Sequence, residues 1–128
     1  MILGVILLLN GTPLTEQALD GTQPASIHVH LIIDYQDFAP SEEYSLVLPP
    51  GNQTVYNAMV LAKLDMETTG SGSLLFVEAI NDIRNNQDGN YHWWQFWVDG
   101  ELAPVGAGSY VLHDDAVVEW RYTHPQML

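Results

Sequence analysis

Alternating apolar and polar positions mark the first strand in the body of the chain. Apolar side chains occur at every second position from Ile27 to Ile33, and a second apolar segment, 44–48, follows a polar turn. Because successive side chains of a strand point to opposite faces, the first segment has one apolar face that suits a core. The two segments predict a hairpin of adjacent antiparallel strands.

The next pattern has the spacing of a helix. The segment 49–52 contains two prolines and a glycine, which end the second strand, and Thr54 is a residue type that caps helix N-termini. The sequence predicts one main helix that begins after Thr54 and ends near Leu64. Its apolar face consists of residues spaced three or four apart, namely Val55, Ala58, Met59 and Ala62.

The remaining segments predict strands joined by polar turns. Residues 67–73 are predicted as a loop, 74–80 as a strand and 81–90 as a polar loop. After an aromatic segment, Asp99-Gly100 predicts a hairpin turn, and 117–122 predicts the last strand after a turn at Asp114-Asp115. A hairpin, one helix and further strands predict an α+β domain over 27–128, in which the helix packs on a curled, β-grasp-like mixed sheet.

The segment 91–101 carries a concentration of aromatic rings, with three of the four tryptophans within five residues. As a strand, it directs Trp93, Gln95 and Trp97 to one face and places Trp94 and Phe96 on the other. In one interpretation the second face packs on the helix, while loops half cover Trp93 and Trp97. The alternative is a flat platform for a ring-shaped ligand or a partner protein. The residues assigned to that ligand-binding platform are Tyr91, Trp93, Gln95 and Trp97.

The chain begins with a continuous apolar run, 1–9, which is about half as long as the roughly 20 residues of a membrane-spanning helix. It predicts an apolar strand followed by a linker, so that 1–26 form a segment separate from the domain. A secretory signal or anchor is one alternative. Another is a strand that adds to a neighbouring copy and builds an oligomer or filament. The residues assigned to this assembly strand are Ile2, Leu3, Val5, Ile6, Leu7 and Leu8.

Composition narrows the range of partners and reactions. With 16 acidic against 3 basic residues, the formal net charge is −13, which argues against nucleic acid and anionic membranes as partners. The chain has no cysteine, so thiolate metal sites and a cysteine nucleophile are excluded. Because no nucleophile elbow, phosphate-binding glycine loop or spaced carboxylate pair occurs, the sequence predicts a non-enzyme without catalytic residues.

Two groups of residues are candidates for metal ligands. His28 and His30 lie on one strand face at a spacing that can chelate zinc or copper if His92, His113 or His124 supplies a third ligand. The loop 82–90 carries five Asp and Asn side chains that suit calcium, but their spacing differs from that of an EF-hand. Solvated side chains explain both groups, so no metal site and no certain cofactor is predicted.

Four local patterns, in order, resemble those of a known family. They are Thr54-Val55-Tyr56-Asn57-Ala58-Met59, Val77-Glu78-Ala79-Ile80-Asn81, the aromatic segment 93–101, and 105–110 followed by Val118-Glu119-Trp120-Arg121-Tyr122. From Ile27 to Tyr122 the chain resembles small bacterial domains related to the C-terminal domain of transcobalamin and intrinsic factor. The resemblance implies a β-grasp-like fold.

The resemblance also implies a ligand and a location. In the vitamin carriers this domain lies over one side of cobalamin and a helical domain covers the other, so cobalamin, another corrinoid or a planar molecule is the implied ligand. Bacterial relatives are exported or surface-attached, which implies an extracellular, periplasmic or cell-surface protein. Asp114-Asp115-Ala116 replaces the usual Asp-Gly-Asp turn, and Asp99 stands where relatives often have Asn. The resulting hypothesis is a non-enzymatic extracytoplasmic binding module, with a secreted, self-assembling subunit as the alternative.

Overall fold

The structure is a computed structural model that describes residues 25–126. The predicted N-terminal strand and most of its linker therefore lie outside the described residues, together with all six residues assigned to an assembly strand. Ala25 is held against the domain, because its carbonyl oxygen accepts a hydrogen bond of 2.7 Å from Gln53 Nε2.

Two sheets and one α-helix make up the described part of the chain. In chain order the elements are β1 Ile27–Asp34, β2 Glu42–Leu48, α1 Val55–Leu61, β3 Met66–Thr69, β4 Phe76–Ile80, β5 Ile83–Arg84, β6 Trp93–Val98, β7 Glu101–Leu102 and β8 Ala116–Thr123. The larger sheet has the strand order β2-β1-β8-β6-β7, and the smaller has β3-β4-β5. Within residues 25–126 the predicted α+β class with one α-helix is confirmed, while the β-grasp assignment stays a prediction.

The first and last of these strands are neighbours in the larger sheet. β1 pairs antiparallel with β2, which confirms the predicted hairpin, and Leu31 lies opposite Tyr44. On its other side β1 pairs in parallel with β8, and β8 pairs antiparallel with β6. A parallel neighbour cannot be reached by a short turn, so α1 and the smaller sheet lie in the connection between β2 and β8. The aromatic strand β6 thus has β8 as its cross-strand neighbour.

The helix α1 begins at the predicted cap, because the Thr54 hydroxyl accepts a hydrogen bond of 3.3 Å from the backbone N–H of Asn57. It ends at Leu61, before the predicted Leu64, and Lys63 takes a left-handed φ of +61°. No helix within residues 25–126 is long and apolar enough to cross a membrane. The helical residues with no exposed surface are Val55, Ala58 and Met59.

Two segments predicted as loops contain short strands. Residues 67–73 are predicted as a loop, but Met66–Thr69 form β3, which pairs antiparallel with β4. Inside the predicted loop 81–90, Ile83–Arg84 form β5 on the other side of β4. Neither strand is long enough to show alternation in the sequence. Both are stabilised by pairing with β4, which a single-sequence pattern does not reveal.

The core lies between one face of the larger sheet and a second layer made of α1 and the smaller sheet. From the larger sheet, alternating residues such as Leu31 and Val118 point inward, and neither has any exposed surface. The second layer contributes Met59 from α1 and Ile80 from β4. The positions of β1 and β8 that alternate with these core residues are exposed or half-buried. They form the outer face of the larger sheet.

A hydrogen-bonded cluster joins the two sheets. The Tyr35 hydroxyl donates to Glu42 Oε1 at 2.8 Å, and the Tyr44 hydroxyl donates to the same oxygen at 3.0 Å. Asn81 Nδ2 donates to the Tyr35 hydroxyl at 2.6 Å, while Asn81 Oδ1 accepts from the Asp65 backbone N–H at 3.0 Å. Because Glu42 begins β2 and Asn81 follows β4, the cluster ties the smaller sheet to the larger.

We expect the free energy of unfolding to fall as the pH rises above about 10. Burial raises the hydroxyl pKa of Tyr35, Tyr44 and Tyr122 above the ordinary value of 10.0. The unfolded chain therefore loses these protons at a lower pH than the folded chain, so the stabilisation is complete below pH 10 and is lost above it. Urea denaturation from about pH 8 to about pH 11.5 measures the effect, and constant stability over that range contradicts it.

Candidate functional site

Strand β6 divides its side chains between the two faces of the larger sheet, as alternation predicts. The inward side chains are buried in the core, and they are Trp94, Phe96 and Val98. The alternating side chains, on the outer face, are Trp93, Gln95 and Trp97. The first two of these are half-buried, whereas Trp97 is only 8 % exposed although it lies outside the core cluster. The burial of Trp97 on the outer face therefore needs a covering group.

Arg121 of β8 supplies that cover. Its guanidinium carbon lies 4.1 Å from the centre of the Trp97 ring, which is the geometry of a cation–π contact. Arg121 Nη2 also donates to Glu119 Oε1 at 2.9 Å, and this hydrogen bond raises the pKa of the guanidinium. A contact of this kind contributes about 0.5–1 kcal/mol at a partly exposed site. The Trp97 ring thus already accepts one flat, delocalised group on its face.

A groove of about 560 Å³ opens over this contact on the outer face. The strand register places Asp34 of β1 opposite Arg121, and Arg121 opposite Gln95 of β6. Carboxylates of Asp34 and Glu119 therefore lie on the same groove walls as the guanidinium. The groove combines an aromatic ring, one cation and hydrogen-bonding groups, and its lining residues are Asp34, Gln36, Trp97, Leu102, Glu119, Arg121, Thr123 and Gln126.

The other residues predicted for a ligand platform have separate surroundings. Gln95 Nε2 donates to the Gln126 carbonyl at 3.1 Å, and Gln95 Oε1 accepts the Gln126 backbone N–H at 2.7 Å. The Trp93 ring lies 6.4 Å from Phe76 of the smaller sheet. Tyr91 precedes β6 with a left-handed φ of +64° and is 66 % exposed. Of the predicted residues, Trp97 lines the groove, and Gln95 is hydrogen-bonded to the groove residue Gln126. Trp93 lies towards β4.

A second concavity, the β4–β6 slot, has a volume of about 150 Å³. It is lined by residues 75–77, 94–96, 102–103 and 106–107, and by Trp120 of β8. Phe76 at this slot is 43 % exposed, and the sequence neighbours of its lining residues include the exposed Leu74 and Val105. The pattern of the sequence shows only the aromatic part of this slot, because the walls come from segments that are distant along the chain.

Trp120 lines the β4–β6 slot and has an unpaired donor that is shielded from solvent. The side chain is 3 % exposed, and its Nε1 is buried without a hydrogen-bond partner in the described part of the chain. By contrast, the buried Trp94 Nε1 donates to the Ile83 carbonyl at 2.8 Å. An unpaired buried N–H costs about 1–3 kcal/mol, so most such groups in proteins have a partner.

Gly106→Ala is expected to destabilise the domain by about 1–3 kcal/mol and to distort the slot. A Cβ atom at Gly106 would lie 2.7 Å from the Ser73 carbonyl oxygen and 2.9 Å from the Leu75 carbonyl oxygen, so one of the two loops must move. Urea denaturation measures the loss. Ser109→Ala, an exposed change in the same loop, is the control and should alter the stability by less than about 0.5 kcal/mol. Equal stability of the two variants would contradict the close approach of Gly106 to the Ser73 and Leu75 carbonyl oxygens.

Within residues 25–126, one group of three exposed side chains could hold a metal ion. Its members are His28, Asp114 and Asp115, and one possible ligand atom from each lies within 4.8 Å of the others. Neither His30 nor a third histidine belongs to it, so the histidine convergence considered from the sequence is not present in this range. The backbone N–H of His28 donates to Asp114 Oδ1 at 2.7 Å, and that of Asp115 donates to the His28 carbonyl at 2.7 Å. These contacts close the turn before β8 onto β1.

The oxygen-rich loop 82–90 is held by its own hydrogen bonds. Asn85 Oδ1 accepts the Trp94 backbone N–H at 2.8 Å, and Asn85 Nδ2 donates to the Val77 carbonyl at 2.9 Å. Asp88 Oδ1 accepts the Asn90 backbone N–H at 3.0 Å, and Asp88 Oδ2 lies 3.0 Å from His92 Nδ1. The amide of Asn85 and the carboxylate of Asp88 thus organise the loop and the entry into β6.

A family profile matches the region that supplies most of the lining of these concavities. The family described as "Domain of unknown function (DUF4430)" matches residues 52–124, which include α1, all four tryptophans and β8. The chain belongs to this family. The DUF4430 region supplies Trp97 and Arg121 of the groove and Trp120 of the slot, while β1 and β2 precede it. A search of curated proteins finds no match to the chain.

Two solved structures share the fold of this DUF4430 protein. A protein from Ruminococcus gnavus ATCC 29149, provisionally described as metal binding, is 16 % identical with a TM-score of 0.59, and the match covers 78 % of this chain and 99 % of that one. Haptocorrin in complex with Cbi is 16 % identical with a TM-score of 0.58, and the match covers 80 % of this chain. The chain spans about a quarter (26 %) of haptocorrin's length. The predicted resemblance to the transcobalamin family is confirmed at the level of the fold.

Proposed function

We propose that this DUF4430 protein is a non-enzymatic, extracytoplasmic binding module that holds a planar ligand on the outer face of the larger sheet. Cobalamin or another corrinoid is the first candidate. The observation that carries the proposal is the Trp97 ring, which already lies under the flat guanidinium of Arg121 beside a groove of about 560 Å³. The shared fold with haptocorrin, which was solved in complex with Cbi, supports the choice of ligand.

Ligand binding in this groove requires an exchange at Trp97. Because the ring is 8 % exposed, a planar ligand that stacks on it takes the place of the Arg121 guanidinium. The displaced guanidinium remains close enough to donate hydrogen bonds to carbonyl or carboxylate groups at the edge of the ligand. Asp34 and Glu119 accept hydrogen bonds from amide groups of the ligand. An open groove covers one side of such a ligand, so a second domain or protein would have to cover the other.

The four residues assigned from the sequence differ in their expected contributions. Trp97 lines the groove, and Gln95 contacts the groove residue Gln126. Trp93 lies on the same strand face nearer to β4, and Tyr91 lies outside the strand. We therefore expect alanine substitution to weaken binding most at Trp97, less at Trp93 and Gln95, and least at Tyr91.

Tryptophan fluorescence of the full chain during addition of cobalamin tests this function. The wild-type protein should show saturable quenching, and Trp97→Ala should weaken the fitted affinity by at least about tenfold. Free tryptophan corrects for absorption by cobalamin, and Val111→Ala, an exposed apolar residue that lines neither concavity, is the control variant. Absence of saturable quenching in the wild-type protein contradicts a corrinoid ligand.

The β-grasp assignment and the location outside the cytoplasm are parts of the same proposal. Among the described strands, the single parallel pair, β1–β8, is flanked by the antiparallel pairs β1–β2 and β8–β6, which supports the β-grasp assignment. The apolar run 1–9 supports export if it acts as a leader. Fractionation of the native cells, with immunodetection of the protein in each fraction, tests the location. Detection in the cytoplasmic fraction alone contradicts it.

A second candidate function is self-assembly through donation of the apolar segment 1–9. The observation that favours it is an edge strand: among the described strands, β2 pairs only with β1, so its other edge is open to an added strand. Light scattering and negative-stain microscopy of the full chain beside a version that begins at Asn10 test it. Large particles from the full chain alone support strand donation, whereas identical monomers contradict it.

A further inference from the structure

We propose that a cleft between α1 and the end of β2 is the docking site for the segment 14–19 of the same chain. This α1–β2 cleft has a volume of about 300 Å³. The segment lies outside the described residues. The cleft is separate from the groove on the outer face, and the inference does not depend on the proposed corrinoid ligand. The lining of the cleft includes Leu48, Pro49, Pro50, Asn57, Val60 and Leu61.

The lining of the α1–β2 cleft is apolar and open to solvent. On α1, Val60 is 49 % exposed and Leu61 is 45 % exposed, and residues 49–50 are exposed after β2. Within residues 25–126 the lining is uncharged, and the amide of Asn57 is occupied by a hydrogen bond of 2.7 Å to a backbone carbonyl. Burial of apolar side chains is therefore the main interaction that this cleft offers.

The chain enters the described part of the structure at the edge of this cleft. The β1–β2 register places Ile27 opposite Leu48, and because the strands are antiparallel, the residues before Ile27 continue past Leu48. Gln53 Nε2 holds this path, since it donates to the Ala25 carbonyl at 2.7 Å and to the Pro49 carbonyl at 3.1 Å. The chain that precedes Ala25 is thus attached to the domain beside the cleft.

The segment 14–19 carries the nearest apolar side chains and is within reach. Five residues separate Leu19 from Ala25, which allows a span of up to about 20 Å, whereas the seven residues of α1 are about 10 Å long. The five include Gly21 and Pro24, residue types that favour turns. A short tether also raises the local concentration of the segment at its own cleft. The hydrophobic residues among 10–24 are Leu14, Ala18 and Leu19.

Lys63 adds charge complementarity. It follows α1 beside the cleft, where its backbone N–H donates to the Val60 carbonyl at 2.9 Å. The other two basic residues of the chain form ion pairs, but Lys63 forms none within residues 25–126. The acidic Glu16 and Asp20 accompany the apolar side chains of the segment. Exposed ion pairs are weak, so Lys63 selects an acidic occupant while apolar contacts hold it.

Docking of this segment sets the distance between the apolar run 1–9 and the domain. It leaves residues 10–13 as the spacer between them. A spacer of this length keeps the domain close to any surface or partner that takes up 1–9.

Paramagnetic relaxation enhancement in the full chain tests the docking. Because the chain has no cysteine, Gln17→Cys places a single nitroxide label in the segment without removal of an apolar side chain. In the nitrogen-15-labelled protein, the amide signals of Val60 and Leu61 should lose most of their intensity. A label introduced through Ser41→Cys, an exposed position at the other end of β2, is the control and should leave both signals unchanged.

Substitutions in the segment separate docking from mere proximity of the label. Leu14→Ser combined with Leu19→Ser removes the large apolar side chains and should restore most of the lost intensity at Val60 and Leu61. Thr15→Ser keeps those side chains and should restore none.

A matched pair of valine variants tests the cleft itself. Val60→Ser should restore intensity at Leu61, because it removes an apolar group from the lining. Val105→Ser alters a valine of similar exposure away from the cleft and should leave the intensity loss unchanged. Both side chains lie outside the core, and circular dichroism checks that each variant is folded.

Three results would overturn the proposal. The first is the absence of intensity loss at Val60 and Leu61. The second is a loss that persists after Leu14→Ser and Leu19→Ser, because an undocked tether would then account for it. The third is a loss in nitrogen-15-labelled chains without nitroxide when they are mixed with nitroxide-labelled chains, because the segment would then dock on a second copy.

Discussion

Tyr122→Ala should lower the free energy of unfolding by about 3–5 kcal/mol, the usual loss when a large buried ring is removed. Tyr122 has no exposed surface and packs its ring 5.1 Å from Trp94 and 5.2 Å from Phe38. Its hydroxyl donates to the Arg84 carbonyl at 2.6 Å and accepts the Gln87 backbone N–H at 3.2 Å. One side chain of β8 thus fills the core and holds the loop that leads into the aromatic strand.

A matched variant separates the two roles of Tyr122. Tyr122→Phe keeps the ring and removes the hydroxyl, so it should lower the free energy of unfolding by only about 0.5–2 kcal/mol. Urea denaturation followed by far-ultraviolet circular dichroism measures both variants. Since small domains have only about 5–15 kcal/mol of stability, the alanine variant should unfold at a much lower urea concentration than the wild-type protein. Equal losses for alanine and phenylalanine would show that the ring contributes nothing, contrary to its burial.

Asn81→Ala should lower the free energy of unfolding by about 2–4 kcal/mol. The change removes hydrogen bonds that link the two sheets, and it replaces asparagine, which tolerates a left-handed backbone conformation, with a residue that does not. Asn81 has φ +48°, and its amide contacts the Tyr35 hydroxyl, Glu42 Oε1 and the Asp65 N–H. Removal leaves Glu42 with fewer donors beside a buried tyrosine.

Asn86→Ala is the control for the backbone part of that loss. Asn86 has a similar φ of +54°, but within residues 25–126 its side chain makes one exposed hydrogen bond, which it accepts from the Tyr91 N–H. The difference between the free energies of unfolding of the two variants measures how much the inter-sheet cluster stabilises the domain. If Asn86→Ala costs as much as Asn81→Ala, the cluster does not stabilise the contact between the sheets.

The regular elements could be predicted because their signals are local. The alternation from Ile27 to Ile33, the Thr54 cap and the Asp99-Gly100 turn each specify a feature that the structure contains. Alternation also placed Trp93 and Trp97 on the face opposite Trp94. Residues that are close together in the sequence determine these features, so one sequence is sufficient.

Features that depend on pairing between distant segments could not be predicted. The strand β3 exists because β4 lies beside it, and its four residues carry no visible period. The contact of Arg121 with Trp97 requires the β6–β8 register, and the unpaired Trp120 N–H requires knowledge of every neighbouring acceptor. The groove and the slot are therefore products of the tertiary structure, and only the aromatic wall of each is visible in the sequence.

Chemical-shift mapping of the nitrogen-15-labelled full chain with cobalamin tests the central claim most directly, because it asks both whether the ligand binds and where. We expect saturable shifts of the Trp97 indole and Arg121 guanidinium signals, with smaller shifts at Gln95 and Trp93. Signals of His28 and Asp115, at the turn before β8, should stay unchanged. Absence of shifts at saturating cobalamin, or shifts confined to residues away from the outer face of β6 and β8, would contradict a corrinoid-binding groove.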